Sequence, residues 1–228
     1  MISSKCDWKL WVRVEKALAI LSYRYEWFNR FLSLGFDSYL RKKIASKISN
    51  EDVVLELGSG PGTMAKLVNC KEYWGLDPLE VMVKIAVKKV NRENFHFIKG
   101  CAEDLPFEDG YFDKVIATFA FRDFKDKIRA LSEAYRVLKS GGSLIILDMA
   151  NVNFPSTKIL KIYYKLIGKF NSIVTGDYFK ESIQHFLETV KVFAPPKVIG
   201  EWSLKIGFKK VEIEYHLFRT VFHLTAYK

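Results

Sequence analysis

Val53-Val-Leu-Glu-Leu-Gly-Ser-Gly-Pro-Gly62 decides the reading of this chain: four apolar residues around one acid, then glycine at positions 58, 60 and 62. A buried strand that breaks into glycine brings its backbone close to something, because only glycine turns there without a Cβ in the way. The stretch therefore marks a small-molecule site at the end of a first parallel strand. From Asn50 onward, short apolar runs alternate with helical patterns, the signature of β-α-β units. Strands are expected at Val53–Leu57, Tyr73–Leu76, Phe95–Lys99, Phe112–Thr118 and Ser143–Asp148. Helices are expected at Gly62–Val68, Glu80–Val90 and Lys125–Leu138, the last closed by Ser140-Gly-Gly142. The runs Val211–Phe218 and Thr220–Tyr227 read as an antiparallel pair at the sheet edge.

Three ligands compete for the glycine turn. A phosphate loop is excluded, since no Gly-Lys-Ser/Thr follows the glycines. A dinucleotide site calls for GxGxxG opening a long helix, whereas here the spacing is GxGxG before a short one. That pattern suits the methionine part of S-adenosylmethionine lying over the turn. Asp77, nineteen residues after Gly58 at the tip of the second strand, can accept both hydroxyls of a ribose. Its other reading is a cap for the helix near Glu80. The turn Cys101-Ala102-Glu103-Asp104 lies where backbone amides and an acid recognise adenine, and a solvated turn is the alternative for its two acids.

Around this core the chain is basic. The formal net charge is +10, and it is uneven: +6 over residues 1–50, −2 over 51–150 and +6 over 151–228. Basic flanks rich in aromatics suit an anionic membrane surface, or RNA. Residues 7–34 read as amphipathic helices, packed on the main domain or forming a lid, with a turn at Gly35 and a further helix over Arg41–Ile48. In residues 154–190, Lys158, Lys161, Lys165 and Lys169 share one helical stripe, either a solvated face or an attraction to anionic lipid or a phosphorylated ligand. No apolar run reaches the ~18 residues of a membrane span, and the N-terminus lacks the pattern of a signal peptide. Cys6, Cys70 and Cys101 are odd in number and far apart, so a reduced, cytoplasmic setting is expected. His96, His185, His216 and His223 are dispersed in sequence, and no metal is expected.

The run Gly100-CAEDLPFEDGYFDKVIATFAFRDFKDKIRALSEAYRVLKSGGSLIILD-148 resembles the S-adenosylmethionine-dependent C-methyltransferases of ubiquinone and menaquinone biosynthesis. That family shows AExLPFxDxxFD, then FGLRN, then YRVLKPGG. YEWFNRFLSLG (residues 25–35) is similar to its YDxMNxxxSxG, and DYFKESI (177–183) to its YxYLxESI. The resemblance implies a Rossmann-like class I methyltransferase fold: a seven-stranded, mostly parallel sheet with an antiparallel edge strand and helices on both faces. It implies one domain: an N-terminal helical lid (1–50), a cofactor core (51–150), a helical substrate-side insert (151–190) and C-terminal strands (191–228). It implies S-adenosylmethionine held by Gly58, Gly60, Pro61, Asp77, Cys101, Ala102 and Thr118, and Glu56, Ser59, Pro78 and Glu103 of the same strand tips and turns are expected to join them. The acceptor it implies is a lipophilic quinol, met in the cytoplasm or at the inner face of the membrane. A homodimer stays open, and nucleic acid is not the expected partner.

The chain departs from the family pattern at several points. FGLRN has become FAFRD, Ser140 replaces a proline, and Ser38 and Leu40 stand where the family has Arg and Trp. Cys101 replaces a polar residue at the adenine turn. Methylating a ring carbon needs in-line placement of the methyl group and raised electron density on the ring. Arg122, an always-charged donor just past the fourth strand, is the first candidate to stabilise a phenolate. Tyr25 is the second, with His185 as a candidate base. Pairing with Asp123 or Asp126 is the structural alternative for Arg122, and core packing for Tyr25. Three readings stay open for the whole chain: a quinol methyltransferase, a methyltransferase of another small molecule or of RNA, and a cofactor-binding module without catalysis.

Overall fold

The computed structural model describes residues 35–150, 190 and 192–228. Its elements, in order, are α1 (Phe36–Ala45), β1 (Val53–Leu57), β2 (Glu72–Asp77), α2 (Glu80–Lys89), β3 (Phe95–Lys99), β4 (Phe112–Thr118), a 3₁₀ turn (Phe121–Asp123), α3 (Lys127–Val137), β5 (Leu138–Met149), α4 (Pro196–Ile206), β6 (Lys210–His216) and β7 (Val221–Tyr227). The strands form one seven-stranded sheet in the order β3-β2-β1-β4-β5-β7-β6. β1 pairs in parallel with β2 and β4, β2 with β3, and β4 with β5. Only β7 runs antiparallel, between β5 and β6.

Every residue of β1 is buried, as a central parallel strand covered on both faces requires. One face carries a core of Leu55, Leu57, Val115 and Ala117 under α3 and α4, with Leu131, Val137 and Ile199. The other carries Val54, Ile116, Ile145 and Leu147 under α1, with Leu40 and Ile44. Chain order reverses across the sheet between β1 and β4. Folds of this kind bind ligands in the crevice at the carboxyl ends of the strands there.

Several boundaries differ from expectation. The segment 60–67 is a series of turns rather than a helix, because Gly62 takes a left-handed φ of 78° and Leu67 N donates to Met64 O three residues back, at 2.9 Å. Ser140-Gly-Gly142 lies inside β5 instead of closing a helix, since α3 passes directly into the strand at Leu138. α1 begins at Phe36, straight after the left-handed Gly35. The stretch expected to hold only strands after residue 190 also contains α4. Its signals are Pro196 at the first helical turn, Gly207 at the end and apolar Ile199 facing the core. The segments 1–34 and 151–189, with Tyr25, His185 and the lysine stripe, lie outside the described residues.

Candidate functional site

The turn after β1 is held down by β2: Gly58 N and Ser59 N both donate to Leu76 O, at 2.8 and 3.1 Å. Gly58 has φ 70°, and a Cβ there would stand 2.5 Å from Ala120 Cβ. The turns after β1 and β4 thus close on each other, and only glycine admits that approach. A cleft opens beside this contact. It is lined by Arg41, Gly58, Ser59, Gly60, Pro61, Asp77, Pro78, Cys101, Ala102, Glu103, Thr118 and the segment Phe119-Ala120, with Met82, Asp123 and Phe124 also on its wall.

Asp77 is buried at the tip of β2, and its two oxygens hold the loops on either side. Oδ2 accepts from Gly60 N at 2.8 Å and Oδ1 from Leu79 N at 2.9 Å. It therefore shapes the turn that leads into α2, although no side chain caps the helix itself. Each oxygen keeps a further lone pair for a ligand hydroxyl. Burial raises its pKa to about 6, against the pull of the two amides.

Behind the glycine turn lies a buried polar chain. Arg41, on α1, donates through Nη1 to Thr118 Oγ1. Thr118 donates to Glu56 Oε1 at 2.7 Å, and Tyr73 donates its hydroxyl to Glu56 Oε2. Burial pushes Glu56 up to about 7, and Arg41 pulls it back down. Glu56 is absent from the lining of the cleft: it supports Thr118, which does line it. The Arg41 guanidinium also sits over the Phe119 ring, 5.1 Å from its centroid. Phe119 has φ 58°, a left-handed conformation that costs a side-chain-bearing residue about 1 kcal/mol or more. Its N–H donates to Leu147 O and its carbonyl accepts from Arg122 Nη1, so both ends of the strained residue are tied.

Arg122 is placed one step behind the cleft. Its Nη1 and backbone N donate to the two oxygens of Asp148, both at 2.9 Å, and its Nη2 lies 3.3 Å from Asp123. Asp123 lines the cleft and Arg122 does not. Glu103 is buried and works as a cap as well as a wall: its Oε1 accepts from Lys125 N and Asp126 N ahead of α3, at 2.9 and 3.3 Å. Cys101 and Asp104 close the turn after β3 with an isolated bridge.

S-adenosylmethionine offers a carboxylate, an ammonium, a ribose diol, an adenine and a sulfonium, and the donor set of the cleft matches these groups. Among the described residues Arg41 Nε and Ser59 Oγ are buried and find no hydrogen-bond partner, and such groups are costly unless something binds them. Both residues flank the glycine turn. Nothing lies within 4 Å of a Cβ placed at Gly60, so the turn has open space in front of it. Arg41 was invisible to sequence reasoning. In Arg41-Lys-Lys43 it reads as one more solvated cation, and it is the packing of α1 on the sheet that buries it.

The chain matches the model of the ubiE/COQ5 methyltransferase family over residues 9–228. It is 34% identical over 198 residues to the demethylmenaquinone methyltransferase of Thermotoga maritima, which covers 83% of this chain and 85% of the relative. It is 31% identical to the ubiquinone/menaquinone biosynthesis C-methyltransferase UbiE of Wigglesworthia glossinidia brevipalpis, covering 82% and 80%. Among solved structures it resembles a SAM-dependent methyltransferase of Thermotoga maritima, described as a possible histamine N-methyltransferase. That match has a TM-score of 0.64 and 23% identity, over 93% of this chain and 99% of that one. It also resembles phosphoethanolamine N-methyltransferase 2 of Haemonchus contortus in complex with S-adenosyl-L-methionine, at TM-score 0.62 and 16% identity, over 83% and 52%. At these identities the structural likeness speaks for the fold alone.

Proposed function

Because the chain belongs to the ubiE/COQ5 methyltransferase family, we propose that it methylates a ring carbon of a prenylated, quinol-type acceptor. It is an S-adenosylmethionine-dependent methyltransferase, and the acceptor is the open part of the reading. The observation that carries the cofactor assignment is the buried donor set around the glycine turn, with Asp77 on one side and Arg41 and Ser59 on the other. When bound, S-adenosylmethionine supplies an electrophilic methyl group on a positively charged sulfur.

Asp77 would accept from the ribose hydroxyls, and the Cys101-Ala102 turn with Met82 would border the adenine. Arg41 would hold the carboxylate of the methionine part, helped by Ser59 and the Gly60 amide. Thr118, fixed between Arg41 and Glu56, sets the wall of the cleft at the end of β4. Arg122 is a positioning residue in this reading. Balanced by Asp148, it holds Phe119 and Asp123, which face the cleft, and so sets the wall against which an acceptor would lie. We read the chain as one domain whose segments 1–50 and 151–190 cover a lipophilic acceptor. The +6 charge of each flank, residues 1–50 and 151–228, favours an anionic membrane surface as the place where that acceptor is met. Among the described residues no helix is long and apolar enough to cross a membrane.

The test is S-adenosylhomocysteine release from the purified chain with prenylated quinols in anionic vesicles. Turnover that depends on the quinol is expected; turnover only with RNA or with a soluble amine would replace the acceptor. For Arg122→Ala, calorimetry should find cofactor affinity within a fewfold of wild type while turnover falls by roughly a hundredfold, the scale of misplacing the groups that position an acceptor. An Arg122→Ala enzyme that turns over normally would remove Arg122 from the mechanism.

A further inference from the structure

Well away from the cleft, at the outer edge of the sheet, three groups with metal-binding atoms meet. Glu214 and His216 are two residues apart on β6 and so share one face of the strand. His223 stands on β7 directly opposite Glu214. His216 Nε2 and His223 Nδ1 are 2.9 Å apart, and the two rings stack with centroids 5.2 Å apart. The Glu214 carboxylate faces the far side of both rings, with Oε1 3.8 Å from His216 Nδ1 and Oε2 3.6 Å from His223 Nε2. One ligand atom from each residue lies within 4.8 Å of the other two. The hairpin that joins the strands fixes this register through three successive left-handed residues, Leu217, Phe218 and Arg219.

We propose that Glu214, His216 and His223 form a site for one divalent ion of the zinc class, linking β6 to β7. Two imidazoles and one carboxylate are the donor set such ions take, with water completing four-fold coordination. Ligand atoms around a tetrahedral ion at these bond lengths stand about 3.3 Å apart, so one nitrogen of each ring, now within 4.8 Å of the other ligand atoms, must draw in by ring rotation, since the nitrogens 2.9 Å apart are not the pair that faces the carboxylate. His223 is buried and His216 nearly so, which shields a bound ion from bulk water. Two lysines of the neighbouring α1 segment act against a cation: Lys43, ion-paired with Glu214, and Lys47, whose charge reaches His223. The ion must displace Lys43 from the carboxylate. The site is therefore weaker than an isolated triad of this kind, and removing Lys43 should strengthen it.

The test uses the full-length protein and cobalt(II), whose visible absorption reports its coordination, followed by competition with zinc. Wild type is expected to bind one equivalent, which zinc displaces, and to melt at a higher temperature with the metal than without. Glu214→Gln, an exposed change that spares the core, should weaken binding by roughly tenfold or more. His216→Ala should abolish the one-equivalent signal, and Lys43→Met should tighten it. Circular dichroism and S-adenosylmethionine affinity should stay at wild-type values in all three variants, which separates loss of the site from loss of the fold. Absence of a saturable equivalent in wild type would overturn the proposal. So would binding that is unchanged in Glu214→Gln and His216→Ala, since the ion would then sit on other residues such as the cysteines.

Discussion

Asp77→Ala is expected to abolish S-adenosylmethionine binding measurable by calorimetry while the protein remains folded. The carboxylate does two things at once. It holds Gly60 N and Leu79 N, and so fixes the glycine turn and the entry to α2. In the proposed site its remaining lone pairs accept the ribose hydroxyls. Hydrogen bonds to a charged acceptor contribute about 1.5–3 kcal/mol each, so losing two costs about 3 kcal/mol or more, roughly a hundredfold in affinity. Asp77→Asn keeps the shape and one acceptor and should fall between. The pH dependence follows from burial. With its pKa raised to about 6, Asp77 takes up a proton as pH falls through that value, and affinity should drop there. Asp77→Asn should lose this dependence. An alanine variant that binds as wild type does would remove Asp77 from the site.

The second large effect concerns stability. Glu56 is fully buried, and its pKa is raised from 4.5 to about 7, chiefly by desolvation. The folded state therefore holds a proton that the unfolded state gives up. The sign follows: this contribution to stability is complete below pH 4.5 and is lost as pH rises through about 7. At about 1.4 kcal/mol for each pH unit of displacement, the window is worth about 3 kcal/mol. Asp77, raised from 3.8 to about 6, acts in the same direction over a lower window. Glu56→Gln removes the titration and keeps an acceptor for Thr118 or Tyr73. Urea unfolding at pH 5 and pH 8 should show the variant gaining on wild type by a few kcal/mol between the two. A difference that does not change with pH would mean that Glu56 titrates as an ordinary surface acid.

Local patterns made much of the cleft readable in advance. The strand-then-glycine run at 53–62 and the acid at position 77 lie on consecutive strand tips, so sequence spacing alone carries their relation. Gly58, Ser59, Gly60, Pro61, Asp77, Pro78, Cys101, Ala102, Glu103 and Thr118 all line the cleft that forms. What these residues do was less legible. Glu103 reads as a solvated turn acid or an adenine contact, yet its carboxylate is also spent on the backbone ahead of α3. Arg122 has its main partner in Asp148, on a neighbouring strand, rather than in the acids beside it in sequence. α4 is hard to tell from a strand in the sequence because its short apolar pattern runs straight up to the strands β6 and β7.

The amino-acid sequence by itself determined the alternation of strands and helices, the glycine turn after β1 and the acid after β2. Each depends on residues within one turn or one strand of each other. Only the tertiary structure decided which distant groups share a charge environment. Arg41 reaches Thr118 across 77 positions of chain, and Glu56 is perturbed because α1 and the sheet exclude water from it. His216 and His223, scattered in the sequence, become neighbours through the pairing of β6 with β7. Burial and through-space charge set how strongly an ionisable group is perturbed. Both are properties of the packed sheet, and no local pattern of residues encodes them.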